Sequence, residues 1–158
     1  MVKVDKLKLD LAKEFTSFRK STKKEIDDLT SYMVKLDMLA DNQNVFYKKR
    51  QELVSKRFEK QNLSAELVKE RTRMERLILR AFKFGESVPG FEDNLLNAKN
   101  DFERKIFMRN YMKDIEYIIS IIDNFIQFCD NSVKTLDDMT FGIKWAVELE
   151  QYRSHKIK

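Results

Sequence analysis

The sequence predicts an all-α protein: an elongated bundle of four or five helices with coiled-coil-like packing. Three observations carry this. The 158 residues include only 3 Gly and 1 Pro, whereas a many-stranded β fold needs turn residues roughly every 8–12 positions. Apolar residues recur at steps of three and four over long stretches, the period of a helix face. The hydrophobic share, 42%, is too high for a disordered chain even with 36% charged residues. A chain of this length forms one domain of ordinary size, and we expect residues 1–158 to be that domain.

In the first forty residues the stripe is Val4, Leu7, Leu11, Phe15, Phe18, Thr22, Ile26, Leu29, Met33, Leu36 and Ala40. This is one long helix, roughly 5–40, with an apolar face narrow enough for a seam. The 3-4-4 steps favour a nearly straight stripe over a sustained leucine-zipper supercoil. Asp41-Asn42-Gln43-Asn44 is expected to end it. The next segment changes phase. Tyr47, Val54 and Phe58 share one face, while Leu67, Met74, Ile78 and Ala81 share another. Two helices, 44–61 and 65–84, are therefore expected, with Ser64 as N-cap and Leu63 and Val68 as a hydrophobic staple. Gly85 suits a left-handed C′ position, with Pro89 close behind.

Residues 91–130 read as the central helix. Leu95, Ala98, Phe102, Ile106, Met112, Ile115, Ile119, Ile122, Ile126 and Cys129 keep the 3/4 spacing. Ile118, Ile121, Phe125 and Phe128 widen the stripe, so that only Glu116, Ser120, Asp123/Asn124 and Gln127 stay polar. A helix apolar around most of its circumference belongs in the middle of a bundle. Asp130-Asn131-Ser132 is expected to break the chain, and Thr135 with Asp138 resembles a capping box. A last helix, 136–155, carries Leu136, Met139, Ile143, Ala146 or Val147, Leu149 and Tyr152, with Gly142 a weak spot. A helix of forty residues is about 60 Å long, hence the elongated form.

Little in the sequence carries chemistry. His155 is the single histidine and Cys129 the single cysteine. Zinc sites built from Cys and His are thereby excluded, as are the inward Glu-x-x-His pairs of di-iron bundles. A Cys129–His155 nucleophilic pair is formally available, but a thiol on an apolar helix face is an inert core residue. Gly85 to Gly90 has the outer spacing of a phosphate-binding loop, but Phe91 stands where Lys is required. Glu92/Asp93 and Asp137/Asp138 fall at expected helix starts, where negative charge is favourable. Asp123, in a strongly apolar run, is expected on a solvent-facing edge. We expect no catalytic residue, cofactor, metal or small-molecule substrate.

Charge is the one asymmetric feature. Residues 42–84 hold 12 Lys/Arg against 5 Asp/Glu, a net of +7 within a chain of net +5. Lys69, Arg73, Arg76, Arg80 and Lys83, spaced 4, 3, 4, 3, share one helix face opposite the apolar one. Lys49, Lys56 and Lys60, with Arg50 and Arg57 beside them, form a second basic face. Both are solvated surface at the least and an anion- or partner-binding site at the most. The leading expectation is a non-enzymatic protein–protein interaction or assembly module that docks a partner protein or forms a homo-oligomer through long helical faces. The alternative is a nucleic-acid-binding accessory protein, and the third is binding to an anionic membrane surface. One cysteine, an N-terminus without a hydrophobic leader core and no run of ~20 apolar residues point to a cytoplasmic or nuclear chain.

Overall fold

The computed structural model describes residues 2–32, 39–84 and 100–156, with the side chains of most of them. The protein is an all-α helical bundle. Among the described residues there are three helices: α1 (Val2–Tyr32), α2 (Leu39–Phe84) and α3 (Asp101–Lys156). The helices pass through two compact units, one of Met1–Ala12 and Gln61–Asp123, the other of Lys13–Lys60 and Asn124–Lys158.

Three expected breaks are absent. Residues 39–44 already belong to α2, so Asp41 to Asn44 is no turn; Met33 and Leu36 lie outside the described residues. The segments 44–61 and 65–84 are one helix, with Ser64 in its interior. The reason is a misread face. Tyr47 and Phe58 are exposed, and Phe46, Lys49, Leu53 and Lys60 are buried in their place. At 100° per residue these four lie within about 60° of Ile78, as do Leu67, Met74 and Ala81. The helix never changes face; it carries lysines where an apolar reading finds a gap.

The segments 91–130 and 136–155 likewise merge into α3. Ser132 is buried within it, and Thr135 is no cap. Its hydroxyl donates to the Asn131 carbonyl one turn back at 3.0 Å, which satisfies the side chain inside a helix. The start of α3 also moves. The Asn100 carboxamide oxygen accepts the Glu103 N–H at 2.9 Å, an N-cap that sets the helix start at Asp101. Asp101 and Glu103 in the first turn and Arg153, His155 and Lys156 in the last complement the helix dipole. Gly85, Pro89 and residues 91–99 lie outside the described residues.

In the unit of residues 13–60 and 124–158, Leu29, Phe46, Leu53, Phe125, Cys129, Leu136 and Ile143 form a buried cluster. Phe15, Phe18, Ile26, Val133 and Met139 pack around it. The Phe125 ring lies 5.1 Å from Phe15 and 5.0 Å from Phe18, centroid to centroid; such pairs add about 0.5–1.5 kcal/mol beyond burial. Ion pairs fix the register. Glu14–Lys60 and Glu25–Lys49 both centre on residue 37, so α1 and α2 run antiparallel here. Arg50–Asp137 and Arg57–Asp130 lie seven residues apart on each helix and set α2 antiparallel to α3. The α1 stripe faces inward as its spacing implies, with Thr22 and Leu29 buried.

In the unit of residues 1–12 and 61–123, Ile78, Ala81 and Met112 are buried together, with Met74, Leu77, Phe82 and Met108 against them. Leu11, Ile118, Ile121 and Ile122 are buried too. The Arg71 guanidinium meets Glu116 at 3.3 Å and Lys8 meets Asp114 at 3.5 Å. Glu116, Ser120 and Asp123 are all exposed, so the polar strip of α3 faces solvent as expected.

Candidate functional site

The two basic faces of α2 have opposite fates. Lys49 and Lys60 are buried, 7% and 2% exposed, and Lys56 is half-buried. Each ammonium meets two acids, and Lys56 and Lys60 share theirs. Lys49 pairs with Glu25 at 2.6 Å and with Glu52 at 3.0 Å. Lys60 donates to Glu14 at 2.7 Å and to Glu59 at 3.0 Å. Lys56 reaches Glu14 at 2.7 Å and Glu59 at 2.8 Å. The Lys60 ammonium also stands 5.1 Å from the Phe125 ring centroid, a favourable cation–π position.

These pairs shift the titrations. Burial alone would raise the Glu14 carboxyl, but hydrogen bonds from Lys56 and Lys60, and their charges, hold it below its ordinary value. Hydrogen bonding from Lys56 lowers Glu59 against the same opposition. Burial works to lower Lys49 and Lys56; their glutamate partners more than reverse it and hold both above the usual lysine value. Lys49, Lys56 and Lys60 therefore do not form the open basic face that their spacing suggested. They are internal ties between α1 and α2. Arg50 and Arg57 are engaged with Asp137 and Asp130.

Lys69, Arg73, Arg76, Arg80 and Lys83 are all exposed, on the side of α2 opposite Ile78. Arg73 meets Glu70 at 3.6 Å, and Lys83 stands over the Phe84 ring at 5.3 Å. An open groove of about 470 Å³ runs along this face, its described lining being Val68, Lys69, Thr72, Arg73, Arg76, Leu77 and Arg80.

The candidate nucleophile pair does not exist. Cys129 is fully buried, and burial with the Asp130 charge pushes its thiol up to about 11. His155 is exposed, and twenty-six residues of one continuous helix place it about 39 Å away. The Gly85–Gly90 segment lies outside the described residues. Among the described residues no group of three or more His, Cys, Asp and Glu could hold a metal ion, and no helix is long and apolar enough to cross a membrane.

A surface that the sequence reading passed over lies at the end of α3. Leu136 and Ile143 face the core, but Phe141, Trp145, Leu149 and Tyr152 point away from it, 72%, 61%, 37% and 61% exposed. Leu149 and Tyr152, expected on the inner face, belong to this outer one. At 100° per residue the four side chains lie within about 40° of Trp145, and Ile143 lies about 160° away. The helix thus carries two apolar faces back to back. The signal is in the sequence as two interleaved 3/4 series, Leu136-Met139-Ile143 and Phe141-Trp145-Leu149-Tyr152, which merge when only one face is sought.

Fold and surface together define a helical bundle that carries, among its described residues, an exposed basic face and an exposed aromatic face. No family model, no curated protein and no solved structure matches the chain.

Proposed function

We propose that this protein is a non-enzymatic interaction or assembly module that docks a helical protein partner on the outer face of α3. The observation that carries this reading is the exposed stripe Phe141, Trp145, Leu149 and Tyr152, diametrically opposite a complete core face. Scattered exposed apolar residues are ordinary, but a contiguous stripe marks an interaction surface. Tyr and Trp are also the residues that dominate interface energetics, and four anchors at helical spacing suit a partner helix laid alongside.

A photo-crosslinking amino acid at position 141, and in a second variant at the exposed Gln151 off the stripe, tests this in the cell. Discrete adducts from position 141 and none from 151 are expected. Equal adduct patterns from both positions would remove the stripe as the docking surface.

The open face of Lys69, Arg73, Arg76, Arg80 and Lys83 supports a second reading, a nucleic-acid-binding surface. What favours it is that all five are exposed on one face, Lys69, Arg73, Arg76 and Arg80 lining one groove, while the other lysine face is consumed internally. A labelled duplex titrated over a salt series reads this directly. Phosphate contacts predict log K falling with log salt by about 0.9 per contact, and reversing the five charges abolishes the slope. Duplex binding that is unchanged in the charge-reversed protein would end this second reading.

A further inference from the structure

We infer that the occupant of the outer α3 face is a second copy of this chain, docked antiparallel about a two-fold axis beside residue 147. This rests on the interaction-module reading and names its partner.

The stripe has charged ends of opposite sign. Asp138 lies one turn before Phe141 and Lys156 one turn after Tyr152, both exposed. The series Asp138, Phe141, Trp145, Leu149, Tyr152 and Lys156 steps by 3, 4, 4, 3 and 4, so all six side chains fall within about 40° of Trp145. The face therefore runs from acid through four apolar anchors to base, over about 27 Å. The Lys156 ammonium stands 4.8 Å from the Tyr152 ring centroid, folded along the same line.

That order is self-complementary in only one direction. A parallel copy would set Asp138 against Asp138 and Lys156 against Lys156. An antiparallel copy sets Asp138 against Lys156, and the two-fold axis makes the pair twice, as an isologous interface requires. The apolar layers agree with that register. Asp138 opposite Lys156 centres on residue 147, Trp145 opposite Leu149 on the same residue, and Phe141 opposite Tyr152 half a residue before it. Antiparallel α3 helices also bring opposite dipole ends together. Glu148 sits at the rim, about 60° from Trp145, where water and salt screen it from its symmetry mate.

Sedimentation of the full chain over a concentration series tests this, with the emission of Trp145, the single tryptophan, followed alongside. The expected result is a mass rising from 19.0 kDa to twice that, with a blue shift of emission in parallel. Trp145→Ala, at an exposed position, should weaken association at least about tenfold while leaving the helical circular dichroism unchanged. Asp138→Lys and Lys156→Asp should each weaken it, by roughly five- to tenfold, and the double variant should restore it to within about twofold. Neither a parallel pair nor a foreign partner gives that rescue. A chain that stays monomeric throughout, or a dimer indifferent to Trp145→Ala, would overturn the second copy as occupant. If position 141 then still formed adducts of some other mass in the cell, the module reading would stand without this one; if it formed none, both would fall.

Discussion

The two units handle the same α2 chemistry in opposite ways. In residues 39–60 the helix turns Lys49, Lys56 and Lys60 inward, where Glu14, Glu25, Glu52 and Glu59 receive them. In residues 61–84 it turns Lys69, Arg73, Arg76, Arg80 and Lys83 outward and buries Ile78 and Ala81. Both lysine and arginine sets recur at helical spacing, so spacing does not distinguish them. What does is the supply of acids at the matching register of a neighbouring helix. Glu14 and Glu25 are eleven residues apart on α1, and Lys60 and Lys49 eleven apart on α2, so one antiparallel alignment satisfies both pairs. The inward lysines meet such a register of acids, while Lys69, Arg73, Arg76, Arg80 and Lys83 stay exposed.

The sharpest way to break this comparison is to remove one cation from each set. Lys60→Met keeps the aliphatic volume but leaves Glu14 and Glu59 sharing Lys56. We expect a loss of about 1–3 kcal/mol, the cost of a partly buried polar group deprived of a partner. Arg76→Met, on the exposed face, should change stability by no more than about 0.5 kcal/mol. Urea unfolding of both variants checks this, and equal effects would mean that the inward lysines are no more structural than the outward ones.

How much was legible before the structure follows from the same residues. The helical class and the inward stripe of α1 could be read because Leu11, Phe15, Phe18, Ile26 and Leu29 are apolar and evenly spaced, and an apolar side chain has one preferred side. The face of α2 could not. Its stripe passes through Lys49, Lys56 and Lys60, whose buried stems and paired ammonium groups look like solvent-facing charge in a one-dimensional pattern. Reading apolar residues alone gave Tyr47 and Phe58 the inner face and invented a break at Gln61–Ser64. The same habit split α3 at Asp130–Ser132, although Asp130 faces Arg57 and Thr135 bonds within the helix. On the candidate site, the outward basic face was legible because it is uniformly polar. The aromatic face of α3 was not, because two apolar series overlap on one helix and a search for a single core merges them.

Titration sharpens the comparison next, because these ties carry a sign. Glu14 and Glu59 lie below their ordinary 4.5 in the folded protein. The unfolded chain therefore binds more protons as the solution is acidified. Their contribution is complete above about pH 5 and is lost as the pH falls through their folded values. The basic limb has the mirror sign. Lys49 and Lys56 lie above 10.5, and Cys129 is raised from 9.0 to about 11. The folded state holds these protons longer, so stability is full below about pH 9 and declines above it, first through Cys129 and then through the lysines. Urea midpoints between about pH 6 and about pH 3 should fall in the native protein, and the doubly substituted Glu14→Gln, Glu59→Gln protein should show a flatter acid limb. An unchanged limb would mean that these ties contribute nothing.

The smallest expected effect concerns a residue where the inward stripe of α1 meets no partner of its own. Thr22 is fully buried, and its hydroxyl oxygen has no hydrogen-bond partner among the described residues. Other hydroxyls along the helices donate to carbonyls three or four residues back, among them Ser21, Thr30, Thr72, Thr135, Thr140 and Ser154. Thr22 forgoes that bond and keeps a desolvated hydroxyl in an apolar row. Thr22→Val replaces the hydroxyl with a methyl of nearly the same size, so it removes the desolvation cost without opening a cavity. We expect a gain of about 1 kcal/mol in unfolding free energy, a rare direction for a single substitution. Thr22→Ser, which keeps the hydroxyl and deletes the methyl, should do the reverse. If valine destabilised the fold as serine does, the hydroxyl would be contributing to the packing of α1, and the contrast between engaged and unengaged polar groups inside the bundle would fail.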